Sequence, residues 1–190
     1  MWLLHTGTLN ATLEGLWRNG DLCMDRPSAA SWSVASWTDQ WPALSALDPE
    51  TDLQMRLWPS QPPRADFESV GDGVEITLGT QEWTLELYGR FHGADVRLTT
   101  LDLDMNLRAD LEIGSERAIW LSKQTVEVQR IESTDGLFSS PPESVVGALL
   151  DGWVELMTSS VPIAWIPPTP QPADVSVELR DSYLVFTATH

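Results

Sequence analysis

The sequence predicts an α+β fold of long antiparallel strands and one amphipathic helix, and three observations predict it. From Leu101 to Ile113 the apolar residues Leu101, Leu103, Met105, Leu107, Ala109, Leu111 and Ile113 alternate with polar or charged ones. That is the period of a strand with one apolar and one charged face. After Ser140-Pro141-Pro142-Glu143, the residues Val145, Val146, Leu149, Leu150, Trp153, Val154, Leu156, Met157 and Val161 fill a stripe wider than half a helix. Shorter alternating runs, such as Val74, Ile76 and Leu78, punctuated by Gly and Pro, supply the remaining strands.

Taken in order, Met1 to Gly7 reads as the end of a helix, after which Leu9, Ala11 and Leu13 alternate. Gly20-Asp21 then reads as a turn into Leu22, Cys23 and Met24, so a hairpin is expected over 9–24. Residues 27–48 are rich in Ser, Ala and Trp, with a short helix expected near Pro42 to Leu47. Leu53, Met55 and Leu57 alternate, Pro59 to Pro63 interrupts, and Val74 to Leu78 and Trp83 to Leu87 follow as strands. Val96 and Leu98 have the parity opposite to Leu101, which predicts a bulge near Thr99 and Thr100. Beyond a Gly114-Ser115 turn, Ala118 to Leu121 and Val126 to Val128 continue the series.

Ser140 is placed at the N-cap of the helix with Glu143 at N3, a capping box. Pro162 ends that helix, 162–173 is a stiff Pro-rich connector, and Val175 to Leu179 and Tyr183 to Thr187 meet at Arg180-Asp181-Ser182. The whole of 1–190 is read as one domain.

The charge balance excludes whole classes of function. With 11 Lys plus Arg against 28 Asp plus Glu the net charge is −17, so nucleic acid and strong binding to an anionic membrane are not expected. Cys23 is the lone cysteine, expected to be a small buried hydrophobe, and it precludes an internal disulfide. Met1 to Gly7 lacks the basic segment and cleavage site of a signal peptide, and no apolar run reaches the length of a membrane span.

Asp102, Asp104, Asp110 and Glu112 could form a calcium surface, but alternation along a flat strand makes no cage, and a solvated sheet face is the preferred reading. His5, His92 and His190 have no zinc spacing, so no metal and no cofactor are expected. No Gly-x-Ser-x-Gly, phosphate loop or His-Glu-x-x-His occurs, and no catalytic role is expected.

The order of these elements resembles the C-terminal half of the bactericidal/permeability-increasing protein family, within the tubular lipid-binding (TULIP) superfamily. The residues that carry the likeness are Leu3-Leu4-His5-Thr6-Gly7-Thr8-Leu9, the strand Leu53 to Trp58 followed by Pro62-Pro63 and a further strand Ala65 to Val70, Ile131-Glu132-Ser133, Gly136-Leu137-Phe138, Ile166-Pro167-Pro168-Thr169-Pro170, and Ala173 to Val177. The resemblance implies a highly twisted antiparallel sheet wrapped around the 145–157 helix, a half-barrel with an apolar groove for a lipid or other apolar small molecule.

In that groove Leu149, Leu150, Trp153, Val154 and Met157 would face Leu103, Met105 and Leu107. A surplus of apolar face on strand and helix points the same way, although each position also fits a plain packed core. The resemblance further implies a secreted, periplasmic or cell-surface setting, with a second copy or a second half as partner. Met1 falls near the end of the helix that opens the family's module, so a longer parent protein is expected. The acidity removes the family's bactericidal role. Two other readings stay open: an interaction module with a closed core, and a β-sandwich that binds carbohydrate on Trp32, Trp37 and Trp41.

Overall fold

The computed structural model describes residues 1–25, 32–71, 73–113, 118–158, 164–165 and 174–189. The architecture is α+β, with a large antiparallel sheet and few helices. The first strand, β1 (Trp2–His5), leads directly into a helix, α1 (Thr6–Asn19). A short β2 (Met24–Asp25) follows, then α2 (Val34–Trp37) and a 3-10 helix at Pro42–Ala46.

The main sheet is then laid down as β3 (Gln54–Pro59), β4 (Arg64–Val70), β5 (Gly73–Phe91), β6 (Ala94–Ile113) and β7 (Ala118–Gly136). The helix α3 (Glu143–Thr158) comes next, then β8 (Ala164–Trp165), β9 (Asp174–Arg180) and β10 (Tyr183–Thr189). The large sheet runs β2-β3-β5-β6-β7-β8, with β4 also paired to β5, and a second sheet runs β1-β10-β9. β3 and β4 share one edge of β5, β3 against Trp83 to Tyr88 and β4 against Gly73 to Gly79.

The runs read as separate strands at 74–78 and 83–87 are one strand of 19 residues. Its buried residues change parity, from Val74 and Ile76 to Trp83, Leu85 and Leu87. From Leu101 onward the partner strand keeps one parity, burying Leu101, Leu103, Met105, Ala109 and Leu111. An extra residue on β5 reconciles the two: Thr80 pairs with Met105, but Trp83 pairs with Leu103. Glu82 takes a left-handed φ of 61° in this bulge.

Its N–H donates to Asp104 Oδ1 at 2.8 Å, while Arg130 grips the same carboxylate at 2.7 and 3.2 Å. The bulge expected near Thr99 and Thr100 is present, as register shifts opposite Leu87 to Tyr88 and between Thr100 and Leu101. His92 and Gly93, with φ of 49° and 79°, make the two-residue turn from β5 to β6.

Several expectations are corrected. Residues 6–19 are helical, not a hairpin: Leu9 and Leu13 are also one helical turn apart and pack together against the sheet, while Ala11 is exposed. Met1 to Gly7 holds a strand, β1, paired to β10 from Trp2↔Phe186 to His5↔Tyr183. Gly20 closes α1 with φ 80°, its N–H donating to Trp17 O and that of Asp21 to Leu16 O, so Gly20-Asp21 is a helix C-cap and not a hairpin turn.

Cys23 is exposed, because it follows that cap and lies outside both cores. The capping box is absent: Pro142 precedes the helix, its carbonyl accepting from Val145 and Val146, so Glu143 opens the first turn. β7 runs on through Ile131 to Gly136. The Gly114-Ser115 turn, Pro162, the Pro-rich stretch at 166–173 and His190 lie outside the described residues.

The Arg130 hydrogen bond, reinforced by the Glu82 N–H, holds the Asp104 carboxyl below its ordinary value of 3.8. The unfolded chain therefore takes up this proton more readily than the folded one. The stabilisation is complete above the ordinary carboxylate range and disappears as pH falls through the lower folded value. Asp104→Asn keeps an acceptor for Glu82 but loses the charge. It is expected to cost about 1 kcal/mol near neutral pH, allowing for the partial exposure of Arg130, and almost nothing near about pH 2. Urea melts of both proteins across that range check this, and an equal cost at both ends contradicts it.

Candidate functional site

Two apolar clusters lie along the sheet, and they are closed in different ways. The first joins α3 to β3, to the second half of β5 and to the first half of β6. It contains Leu149 and Leu150 of the helix together with Leu103 and Met105 of β6, at exposures of 0, 0, 0 and 4%. Four of the residues expected to line a groove are thus brought together, but as closely packed core. Val154 is also buried, Leu107 is half-buried and belongs to neither cluster, and the side chains of Trp153 and Met157 lie outside those described.

The apolar surplus on helix and strand is covered by the chain itself. Segment 32–47 contributes Trp32, Val34, Trp41, Leu44 and Leu47 to this layer. Trp32 packs so near α3 that a Cβ on Gly152 would lie 3.3 Å from its Nε1. Trp41 donates its indole N–H to Ser139 O at 3.1 Å. With Trp32 and Trp41 at 3 and 2% exposure, and Trp37 half-buried, the expected carbohydrate platform is absent. The Trp41 ring edge finds its partner inside, whereas the indole N–H of Trp37 is buried without one among the described residues.

The second cluster leaves an opening. It lies where α1 and the β1-β10-β9 sheet meet the far half of the large sheet. Leu4 of β1 and Leu184 of β10 are register partners, and with Leu9 of α1, Phe67 of β4 and Ile119 of β7 they line a cleft of about 130 Å³. The remaining wall is Thr8 and Thr12. Thr12 Oγ1 is turned back to Thr8 O at 3.0 Å, which leaves its methyl for the cleft. Among the described residues no charged side chain lines it.

The helix that forms this wall is seated by side chains. Asn10 both donates to Ala65 O at 3.1 Å and accepts from Ala65 N at 2.7 Å, and Trp17 Nε1 donates to Pro59 O at 3.0 Å. At its start Thr6 N and Oγ1 both donate to Ser182 O, and His5 Nδ1 accepts from Gly7 N at 2.9 Å. Sequence reasoning missed these residues because it took Leu9, Ala11 and Leu13 as a strand. The spacing of Leu9 and Leu13 was the signal that could have found them.

The polar face of the sheet carries ion pairs. Glu86 is buried at 8% exposure, accepting from Arg97 at 3.0 Å and from the Tyr88 hydroxyl at 2.7 Å, while Arg97 also reaches Asp135 at 2.6 Å. The hydrogen bond to Glu86, with burial and the carboxylate charge, holds the Tyr88 phenol above its ordinary range. Of the acidic row, Asp104 pairs with Arg130 and Asp102 accepts weakly from Thr84. These contacts tie strands together across the sheet.

No protein-family model matches the sequence, and no curated protein matches it. Among solved structures the chain is similar to the crystal structure of lipopolysaccharide binding protein, with a TM-score of 0.47 and 12% identity, over 87% of this chain and 39% of that one. The chain therefore spans less than half the length of that protein. No helix among the described residues is long and apolar enough to cross a membrane.

The difference between the two clusters is measurable. Leu149→Ala empties a site with no free space around it and is expected to cost about 3 kcal/mol. Leu9→Ala, on the open wall, is expected to cost about 1 kcal/mol. Denaturant unfolding distinguishes them, and equal costs would remove the distinction between closed and open clusters.

Proposed function

We propose that this chain is a non-catalytic binding module for an apolar ligand such as a lipid acyl chain, and that the ligand enters the cleft between α1, β4, β7 and β10. The observation that carries the reading is the cleft itself: about 130 Å³ lined by Leu4, Leu9, Phe67, Ile119, Leu184 and two threonines, without a charge among the described residues. An apolar cavity of about 150 Å³ is enough to hold a benzene ring. The cleft therefore takes a ring or the end of an acyl chain, with the rest of the ligand outside. The family resemblance in the sequence implies the same class of ligand, in an exported protein with a second half or a second copy beside it. The net charge of −17 disfavours an anionic headgroup.

A second reading is favoured by the closed layer around α3: a structural or interaction module that binds no small molecule. The neutral fluorescent probe N-phenyl-1-naphthylamine separates the two. Binding that falls at least about tenfold in Leu9→Trp, whose ring fills the cleft, while the melting temperature stays within a few degrees, supports the ligand site. Probe binding that is absent, or unchanged in a folded Leu9→Trp protein, leaves the structural reading. Native mass spectrometry of the purified protein is expected to show co-purified lipid.

A further inference from the structure

We propose that His5 is a pH-sensitive cap on α1 that sets whether the wall of the apolar cleft is formed. This rests on the binding reading above and adds its regulation. His5 is the N-cap residue of α1, with extended backbone at φ −89° and ψ 138°. Its Nδ1 accepts the Gly7 N–H at 2.9 Å, so Nδ1 carries no proton and the ring is the neutral Nε2–H form. Protonation puts a hydrogen on the accepting atom, which removes the cap. It also places a positive charge at the end of a helix whose exposed N–H groups already repel one.

α1 has no acidic residue in its first turn, and among the described residues no carboxylate is paired with His5. From β10 the group that faces it is the Tyr183 ring, 4.5 Å away between centroids. The β9–β10 turn supplies Ser182 O, which is taken up by Thr6, and its charged members are Arg180, paired with Glu178, and Asp181. The α-amino group of Met1 lies at the other end of β1.

The capped turn is the cleft wall. Leu4 precedes the cap, and Thr8 and Leu9 lie in the first turn after it, so loosening that turn displaces two of the lining residues and the start of the turn that holds Thr12. Gly7 belongs to the device as well. A Cβ there would lie 2.8 Å from His5 Nδ1 and 3.1 Å from Cε1, so any larger residue pushes the imidazole off its acceptor position.

The experiment measures N-phenyl-1-naphthylamine affinity and melting temperature for the full chain from about pH 8 to about pH 5, across the range in which histidine changes charge. The wild type is expected to lose about fivefold in affinity on acidification, the equivalent of one N-cap. His5→Asp, which caps with a carboxylate that stays ionised in this range, is expected to hold the high affinity throughout. Gly7→Ala is expected to show the weak affinity at both ends.

A pH dependence that survives in His5→Asp overturns the switch and leaves the binding site standing. Absence of probe binding at every pH, with a wild-type melting temperature that still falls more on acidification than that of His5→Asp, overturns the binding site and leaves the cap standing.

Discussion

Everything in this fold depends on one strand keeping the same face inward along its whole length. β5 contributes to both apolar clusters, and its buried residues switch from even to odd positions on the way. A strand without an irregularity would turn one of the two sets outward, because side chains alternate with period two. The extra residue between Thr80 and Trp83 absorbs the switch, and Glu82 accepts an unfavourable left-handed backbone to do so. Asp104 on the next strand and Arg130 on the strand after it fix the distortion from the polar side. The contact lies on the outer face, yet it decides what lies on the inner one.

Given that register, the two ends of the sheet are finished by different means. At one end a helix and a tryptophan-rich segment bring enough apolar volume to fill the layer, and the side chains there have almost no remaining surface. Density of this kind leaves no room for a guest without repacking. At the other end a thin helix without a single buried residue and a small three-stranded sheet do the covering. Hydrogen bonds from Asn10 and Trp17 fix the position of α1, while Leu9 and Leu13 pack against the cluster that holds Leu184 and Phe186. The cleft is what such a cover leaves behind.

Much of the fold was legible in the sequence because its signal is local. The alternation from Leu101 to Ile113, the stripe from Val145 onward and the closing hairpin all appear where the pattern places them. What was not legible depends on partners far along the chain. Leu9 and Leu13 satisfy both a two-residue and a four-residue period, and only the β4 edge that receives Asn10 selects the helix. The groove expected between strand and helix assumed that nothing else competes for that surface. The segment holding Trp32 and Trp41 does compete, and its patternless sequence gave no sign of where it would go. The cleft under α1 was hidden by the same misassigned helix.

The seat of Asn10 on Ala65 has a consequence beyond holding a helix in place. Among the described residues β4 pairs with a neighbour on one side only, and the backbone groups of its other side are a template on which a foreign chain could build. At Ala65 both groups are already taken, the N–H and the carbonyl each by one end of the same side-chain amide. That amide imitates the peptide group of an adjoining strand but cannot be extended. A single asparagine thus ends the sheet at this point and guards the protein against self-association there.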